Sequence, residues 1–457
     1  MAARTKKSVT LTLEEKLQQA LVPVEEQPYP VPENWCWVRL NSISEIVTGG
    51  TPSKKQLEYY GGQFPFYKPS DLDAGRHVFE ASEYLSEEGK SISRIIPENS
   101  SAVCCIGSIG KCGFLEREGT TNQQINSVIA KINPLFVFYY LQTPCFVEAL
   151  WSLASATTIS IVNKSKMEKV AFPLAQLSEQ QRIVARIESL FAKLDEVKEK
   201  AQAIVDGYED RKTSILHKAF TGELTAKWRE SFNVDMSSWT AHSFDACIEV
   251  MQNGLAKRRG ETGNAFTVIR LANLSDEGFI EDDLREIVLD EKEQKRYKLD
   301  AHDVLMIRVN GSKDNVGKQY LITNQKRWAY CDHLIRIKYS DIALPEYMVY
   351  FSKSATYRKH IENNMVSSAG QNTISRKGMS TLVVPLPKIE EQEQIVSVLN
   401  LLFAKETQIK SAAQSVLDQI DTMKKSILAR AFRGELGTND PADEPAVELL
   451  KKVLEER

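Results

Sequence analysis

Loops that are rich in glycine or in amide side chains, and that carry lysine, arginine, asparagine or glutamine, recur in two separate stretches of the chain. They are TGGTPSKKQLEYYGG (48–62), IGSIGKCG (106–113) and TTNQQIN (120–126) in the first stretch, and NGLAKRRGETGN (253–264), IRVNGSKDNVGK (307–318) and SSAGQNTISRKG (367–378) in the second. Backbone amides, lysine and arginine bind phosphate oxygens, whereas asparagine, glutamine and arginine pair with base edges. A polar surface turn explains any one loop alone, so their recurrence in both stretches is what favours nucleic-acid binding.

Composition neither supports nor excludes such a partner. The 457 residues are 42% hydrophobic and 26% charged, which is ordinary for two or three globular domains, and the net charge is −3. Residues 35–172 hold 13 basic and 13 acidic side chains, and residues 239–384 hold 21 and 19. A strongly basic footprint is therefore absent, and we expect weak DNA binding by this chain alone.

Cysteine usage and hydropathy predict a cytoplasmic protein. The seven cysteines form no spaced disulfide framework, which favours a reducing compartment. No uncharged apolar run is long enough to cross a bilayer, and the amino-terminal segment lacks the apolar core of a secretory signal.

Motifs for catalysis and cofactor binding are missing, so the sequence predicts no catalytic residue and no metal ligand. Gly110-Lys111 is followed by Cys112 where a P-loop needs serine or threonine, and no two glycines are separated by one residue. The segment NPLF (133–136) resembles the Asn-Pro-Pro-Phe/Tyr signature of amino-methyltransferases, with Leu135 as the mismatch. No adenosylmethionine site accompanies it, so we interpret Pro134 as a helix-start proline.

The loops are embedded in two variable blocks of similar layout. Each block opens on a tryptophan-led segment (35–50 and 239–254) and continues in short β-like runs. An aromatic helix follows in each, PLFVFYYLQTP (134–144) and LPEYMVYFSKS (344–354). These patterns predict two mixed α+β domains with twisted, largely antiparallel sheets.

Each variable block is followed by a shared block, repeated at an offset of 212 residues. FPLAQLSEQQRIVARIESLFAK (172–193) matches VPLPKIEEQEQIVSVLNLLFAK (384–405), and SILHKAFTGEL (214–224) matches SILARAFRGEL (426–436). This spacing is far longer than a solenoid repeat, so it indicates two whole modules.

The shared blocks carry heptads of apolar residues, which predict a long helix in each block, roughly 50 Å long over residues 183–215. Connectivity favours an antiparallel, pseudo-twofold pair with the two variable domains at its opposite ends. The interruptions Arg211 and Glu406 would then come together as an ion pair. The predicted helix seam comprises Ile183, Ile187, Leu190, Leu194, Ile204, Ile395, Leu399, Leu402, Ile409 and Ile420.

These patterns give a predicted domain order. It runs from an amino-terminal extension (1–34) through a first variable domain (35–176), a central shared helix (177–225), a second variable domain (226–388) and a carboxy-terminal shared helix (389–436) to an acidic tail or helix (437–457).

With its duplicated PL...SEQQRIV, long heptads and AF.GEL, the sequence resembles the specificity subunit, HsdS, of type I restriction–modification systems. The entry segment QPYPVPENWCWV (27–38) and the run from GGTPS to PFYKPSDL (49–72) are also typical of that family, and the likeness covers nearly the whole chain. It implies a non-catalytic subunit whose two domains each recognise half of a split DNA target through the major groove, while the helices set the gap.

The resemblance also implies partners. Two methyltransferase (M) subunits would dock on the helices and methylate adenine N6, and two restriction/translocase (R) subunits would translocate and cleave. S-adenosylmethionine, ATP and magnesium are expected on those partners, with no cofactor on this chain and no membrane contact. The repeated motif is expected to serve docking through Phe220, Gly222, Glu223, Leu224, Phe432, Gly434, Glu435 and Leu436.

The variable loops are correspondingly expected to contact double-stranded DNA. The candidates in the first domain are Lys54, Lys55, Tyr59, Lys68, Ser108, Lys111, Gln123 and Gln124. Those in the second are Lys257, Arg258, Arg259, Arg308, Asn310, Ser312, Lys313 and Gln371. Two alternatives stay open on the sequence alone, a freestanding adenine methyltransferase and a coiled-coil scaffold that joins two protein-binding modules.

Overall fold

The computed structural model describes residues 11–155, 160–257, 260, 262–276, 278–323 and 326–456. The candidates Arg258 and Arg259 lie outside these residues. The chain forms two compact units, unit 1 from Met1–Ala201 with Ser415–Arg457 and unit 2 from Gln202–Gln414. Across the described ranges, no helix has the length and apolarity to cross a membrane.

In its described residues, unit 1 opens with nine strands and six α-helices in chain order. The strands are β1 (Cys36–Arg39), β2 (Ser44–Thr48), β3 (Tyr60–Tyr67), β4 (Glu83–Leu85), β5 (Ser100–Cys104), β6 (Cys112–Leu115), β7 (Thr120–Thr121), β8 (Ile125–Ala130) and β9 (Ala171–Leu174). The helices are α1 (Leu13–Ala20), α2 (Glu87–Ser91), α3 (Pro134–Tyr140), α4 (Pro144–Leu153), α5 (Lys164–Met167) and α6 (Leu177–Asp206), whose last turn enters unit 2.

Unit 2 continues with α7 to α12 and the first part of α13, whereas the end of α13 and all of α14 belong to unit 1. The helices are α7 (Tyr208–Phe220), α8 (Ala226–Phe232), α9 (Glu291–Tyr297), α10 (Pro345–Phe351), α11 (Ala355–Asn364), α12 (Arg376–Ser380), α13 (Ile389–Ala431) and α14 (Ala446–Glu455). The strands are β10 (Thr240–Ser243), β11 (Ile248–Asn253), β12 (Asn264–Ile269), β13 (Leu274–Ser275), β14 (Gly278–Phe279), β15 (Arg285–Leu289), β16 (Val304–Ile307), β17 (Val309–Asn310), β18 (Gln319–Leu321), β19 (Trp328–Tyr330), β20 (Leu334–Tyr339), β21 (Val366–Ser368), β22 (Gln371–Thr373) and β23 (Val383–Leu386).

Sheet topology repeats from one unit to the other. Unit 1 has sheets of order β1-β9, β2-β8-β5-β6 and β4-β3-β7, and unit 2 has the counterparts β10-β23, β11-β20-β16-β18 and β15-β12-β19. In each three-stranded sheet one pair is parallel, β3 with β7 and β12 with β19, whereas the other pairs in these six sheets are antiparallel. The predicted mixed α/β domains with largely antiparallel sheets are confirmed.

The predicted aromatic helices supply the core of each unit. In unit 1, Phe136 of α3 packs edge-on against Phe172 at 5.7 Å, and the hydroxyl of Tyr140 donates to the Ala171 carbonyl. In unit 2, the hydroxyl of Tyr347 of α10, at a different position of the helix, donates to the Pro385 carbonyl of β23. Each aromatic helix is thereby fixed to the short strand that leads into the long helix of its module.

Within unit 1, α6 and the end of α13 run antiparallel. Asp195 bonds to Lys424 at 2.6 Å, and Lys424 also lies 5.0 Å from the ring of Phe191. Nearer the start of α6, Arg182 contacts Thr438 and Asp443. Later residues of α6 therefore contact earlier residues of the carboxy-terminal segment, which is the pattern of an antiparallel arrangement.

Within unit 2, α7 and the start of α13 are antiparallel as well. Arg211 of α7 pairs with Glu406 of α13 at 2.8 Å. Later in the chain, Arg229 of α8 pairs with Glu391, near the start of α13. The predicted ion pair between the two heptad interruptions is confirmed.

Two expectations about the helices need correction. The first helix is divided into α6 and α7 at Gly207, whose backbone has φ −77° and ψ 2°, and the Arg211 guanidinium donates to the Ile204 carbonyl across this junction. Ile204 and Ile409 are 36% and 46% exposed, because a single partner helix covers only a narrow stripe. Ile183, Ile187, Ile395, Leu399 and Ile420 are buried, and Leu190, Leu194 and Leu402 are partly buried.

Candidate nucleic-acid interface

Three loops of unit 1 leave its four-stranded sheet on the same side, at the edge formed by the ends of the strands rather than by an outer strand. Thr48 at the end of β2 is opposite Asn126, Cys104 at the end of β5 is opposite Ile125, and Cys112 at the start of β6 is opposite Val103. Loops 49–59, 105–111 and 122–124 therefore emerge side by side. The candidates Lys54, Lys55, Ser108, Lys111, Gln123 and Gln124 lie in these loops, and all are exposed except the partly buried Lys111 and Gln124.

Glycines allow the loops to approach one another closely at this edge. A Cβ on Gly49 would lie 2.2 Å from the Asn122 carbonyl oxygen, and one on Gly254 in unit 2 would lie 2.1 Å from that of Cys331. Both positions directly follow the first strand of the four-stranded sheet. In both units, a glycine without a Cβ therefore allows the polar loops to approach each other closely at this edge.

Several predicted cations of unit 1 already have carboxylate partners. Lys111 binds Asp73 at 2.7 Å, and Lys68, in the three-stranded sheet region, binds Glu83 at 2.7 Å. Tyr59 is partly buried and ends a short 3-10 turn. These side chains would have to exchange a partner to contact a phosphate, whereas Lys54 and Lys55 are exposed.

Arg94 is an exposed cation of this edge that sequence reasoning missed. Its guanidinium donates to the Thr48 carbonyl at 2.5 Å, at the end of β2. It lies outside every glycine-rich loop, in SISRIIPENS, so no local motif distinguishes it from an ordinary surface arginine.

The corresponding edge of unit 2 gathers loops 254–257, 308–318 and 331–333. Ile307 at the end of β16 is opposite Leu334, and the Arg308 amide donates to the His333 carbonyl at 2.8 Å. Lys257, Ser312 and Lys313 are exposed, whereas Arg308 and Asn310 are partly buried. Gln371 is also exposed and lies on β22, which pairs with β17 beside this edge.

A cleft of about 480 Å³ opens between two of these loops and the three-stranded sheet of unit 2. Its lining includes the apolar residues Leu255, Val268 and Ile287, together with the cations Lys257, Arg270 and Arg285 and the carboxylates Glu286 and Asp332. Arg270 donates to Asp283, and this bond lowers the pKa of the Asp283 carboxyl. Arg270 and Arg285 were not predicted from the sequence, because they lie in strands or next to them rather than in glycine-rich loops.

Cys331, Asp332 and His333 present three possible metal-ligand atoms within 4.8 Å of one another at this cleft. Burial raises the pKa of the Cys331 thiol, which disfavours the thiolate that a metal requires. Lys257, Arg270 and Arg285 line the same cleft as Glu286 and Asp332, so the lining has no excess of negative charge to attract a cation. We therefore assign no metal to this group.

The repeated AF.GEL motif is largely an internal structural element. Phe432 is fully buried against Phe136 and Tyr140, and Phe220 packs on Tyr347 and Phe351. Gly222 and Gly434 have φ values of +82° and +74°, as a helix terminus requires, and Leu224 and Leu436 are partly buried. Glu223 and Glu435 are exposed, so among the predicted docking residues these two have the most accessible side chains.

A pair of buried polar residues in each shared block was not predicted as functional. Gln180 receives the Asn133 amide and donates to the Ala175 carbonyl, and Gln392 repeats this with Leu344 and Pro387. The adjacent carboxylates, Glu179 and Glu391, are also buried. Their position in the duplicated segments SEQQRIV and EEQEQIV was the one sequence feature that could have identified them. Acidic and amide side chains at the start of a helix are, however, usually exposed to solvent.

The two buried carboxylates have different partners. Glu179 accepts from the Trp35 indole at 2.7 Å and from Asn439 at 3.0 Å, whereas Glu391 accepts from Arg229 at 2.5 Å and from Thr225 at 2.6 Å. Neutral donors leave burial as the main influence on Glu179, and burial raises its pKa.

The NPLF segment starts a helix, as expected. The Asn133 side chain caps α3 by accepting from the amides of Leu135 and Phe136, and Pro134 occupies the first turn. Its asparagine is therefore engaged by the backbone of its own helix.

Comparison with known proteins identifies close resemblance over most of the chain. The family described as "Type I restriction modification DNA specificity domain" matches residues 32–204 and 268–419. The StySPI specificity subunit of Salmonella potsdam is 29% identical, with 93% of this chain and 96% of that protein aligned. The EcoKI specificity subunit of Escherichia coli K12 is 27% identical over the same shares.

Solved structures share the fold. The HsdS subunit of Thermoanaerobacter tengcongensis superposes with a TM-score of 0.64 at 17% identity, covering 90% of this chain and all of that one. A chain from a study of complex assembly and conformational transition of the type I restriction–modification system superposes with a TM-score of 0.59 at 18% identity, again covering 90% and 100%.

Proposed function

The chain belongs to the type I restriction–modification DNA specificity family, and from that premise we propose that each of its units recognises one half of a bipartite DNA target. As a specificity subunit it directs the site of reaction without catalysing it. The observation that carries the proposal of two half-sites is the repeated sheet topology with different loops at the matching edge. A shared scaffold with unlike polar loops suits two different base sequences.

We propose residues 35–176 and 226–388 as the two recognition domains and residues 177–225 and 389–436 as the spacer helices that fix the gap between half-sites. Residues 1–34 and 437–457 would form the flanking extension and tail. The antiparallel contacts within each unit, Asp195 with Lys424 and Arg211 with Glu406, support this arrangement.

Two M subunits and two R subunits are the proposed protein partners. The twofold repeat of the shared helical blocks supports two equivalent docking sites, with Glu223 and Glu435 as exposed members. The M subunits would bring S-adenosylmethionine for adenine N6 methylation of a flipped base, and the R subunits would bring ATP and magnesium for translocation and cleavage. Because its target is DNA and its partners are enzymes of DNA modification, we propose a cytoplasmic location.

Methylome sequencing tests this function directly. A host that expresses the chain with its M subunit should carry N6-methyladenine at one split, asymmetric motif, and a host without the chain should lack it. A matched insertion of seven residues into both helices would add about 10 Å, or about three base pairs, to the unspecified gap. Methylation at no defined motif, or by the purified chain alone, would refute the proposal.

A further inference from the structure

A two-stranded β-ribbon, Val366–Thr373, lies exposed beside the loop of residues 308–318. Its tip is Ala369–Gly370, with φ values of +46° and +77°, which is the two-residue type I′ turn of a tight hairpin. Ser368 and Gln371 face each other across the strands directly before and after the turn. Val366 is 68% exposed, so its apolar side chain is accessible on the ribbon.

The two faces of the ribbon differ. Asn372 is only 6% exposed, donates to the Gly311 carbonyl at 2.9 Å and receives the Ser367 hydroxyl at 2.6 Å. Because side chains alternate along a strand, Val366, Ser368 and Gln371 lie on the opposite face. The ribbon is therefore anchored through one face and presents an apolar, a hydroxyl and an amide side chain on the other.

Backbone pairing holds the ribbon rigidly against the polar edge of unit 2. Val309 of β17 is opposite Thr373, and the Ile374 amide donates to the Arg308 carbonyl at 3.0 Å. Ser312 and Lys313 follow β17 directly in the chain. The ribbon thus extends the surface on which those predicted DNA-binding residues lie.

Charge in this region favours an anionic partner. Residues 307–318 and 366–378 contain five basic side chains and one acidic side chain, in a chain whose net charge is −3. Lys318 and Arg376 pair with Asp276 and Asp245, so the excess rests mainly on Arg308, Lys313 and Lys377. A phosphate backbone along the ribbon would meet these cations.

We propose that this ribbon enters the major groove of the half-site recognised by unit 2, with Gln371 pairing with an adenine edge and Val366 contacting a thymine methyl. The major groove admits a two-stranded ribbon, and glutamine pairs bidentately with adenine N6 and N7. Ser368, opposite Gln371, contacts the neighbouring base, while Lys313 and Lys377 bind phosphates. This inference rests on the proposed function and adds the element and the side chains that determine sequence in one half-site.

Three variants in the assembled methyltransferase, scored by methylome sequencing, test the ribbon. Gln371→Ala should reduce discrimination at one A·T pair by about 5- to 100-fold and leave the other half-site unchanged. Gln371→Arg should shift preference at that pair from adenine towards guanine, and Val366→Ala should weaken preference for a thymine. Gln419→Ala, an exposed glutamine on α13, is the matched control and should leave the motif intact.

The outcomes distinguish a failure of the ribbon assignment from a failure of the proposed function. If the wild-type complex methylates a bipartite motif and the Gln371 variants retain that motif and their melting temperature, the ribbon does not determine specificity. If the wild-type complex methylates no bipartite motif, the proposed function fails before the ribbon is tested. A changed motif in the half-site of unit 1, rather than unit 2, would also overturn the assignment of this ribbon.

Discussion

The Nε of Arg211 donates a 2.8 Å hydrogen bond to Oε2 of Glu406, although 195 residues separate them along the chain. Each replaces an apolar residue of a heptad run, and the charge of each is compensated by the opposite charge of the other. The same guanidinium donates to the Ile204 carbonyl beside Gly207, so the pair also supports the junction between α6 and α7. A charged interruption in each heptad run is therefore a specific contact that fixes the register of the two helices within unit 2.

Replacement of Arg211 by alanine should lower the free energy of unfolding by about 1 kcal/mol, since the pair is partly exposed and screened. The Glu406→Ala change should cost about the same, and the double variant should cost less than the sum. Urea titrations of the three variants measure this coupling. Strict additivity would contradict a direct interaction.

Arg229 and Glu391 form a buried pair, so breaking it should cost much more. The side chains are 9% and 1% exposed, and Arg229→Met would leave the Glu391 carboxylate buried without its charge partner. We expect a loss of about 3–5 kcal/mol in the free energy of unfolding, measured in urea.

Glu390→Gln, at the exposed neighbouring position, is the matched control for this pair and should change stability little. Adding Glu391→Gln to Arg229→Met should recover part of the loss, because the uncompensated charge is removed. A loss below about 1 kcal/mol for Arg229→Met would argue against the buried pair.

Glu179 should give unit 1 a pH-dependent stability. Burial raises its pKa above the ordinary 4.5, and hydrogen bonds from Trp35 and Asn439 offset part of this. The folded state then holds the proton more tightly than the unfolded chain, so this contribution is present below pH 4.5 and is lost as the pH rises through the raised pKa.

Glu179→Gln should remove that decline, which is measured as the difference between the wild-type and variant unfolding free energies from about pH 4 to about pH 8. Glu199→Gln, at an exposed position of α6, should leave the pH profile unchanged. A pH-independent difference between wild type and Glu179→Gln would refute the raised pKa.

The carboxy-terminal helix α14 should be essential to unit 1, although the family match ends at residue 419. Leu450, Val453 and Leu454 are buried in the core, and Lys16 of α1 donates to the Leu454 carbonyl. Leu450→Ala should cost about 2–5 kcal/mol by leaving a cavity, whereas the exposed Glu455→Ala should cost little. Thermal melts of the two variants measure the difference, and equal melting temperatures would contradict the packing.

The near-neutral charge of the proposed recognition domains should make DNA binding depend on partner subunits. Residues 35–172 carry equal numbers of basic and acidic side chains, and Lys68 and Lys111 are already paired. We expect the assembled methyltransferase to bind its target much more tightly than this chain alone. Gel shifts at matched salt measure the ratio. Comparable nanomolar affinity with and without partners would be the contrary result.

Sequence patterns predicted the elements that depend on local spacing. The aromatic helices α3 and α10, the helix start at Pro134 and the pairing of Arg211 with Glu406 follow from local sequence patterns and connectivity, and the structure confirms them. Several of the predicted polar loops lie between strands, but the predicted loop 367–378 instead forms β22, most of β21 and most of α12. The neutralisation of Lys68 and Lys111, however, depends on residues distant in sequence, and no pattern in one chain reveals such partners.

By itself, the sequence determined that there are two modules, where each begins its long helix and which segments concentrate glycine, lysine, arginine, asparagine and glutamine. Those features are encoded by spacing along the chain, which fixes the periodicity of buried faces and the positions of turns. Tertiary structure alone decided which loops share an edge, that Phe432 belongs to a core, and that Asn372 faces inward while Gln371 faces out. These depend on strand register and on packing between distant segments, where a shift of one residue exchanges the buried face for the exposed one.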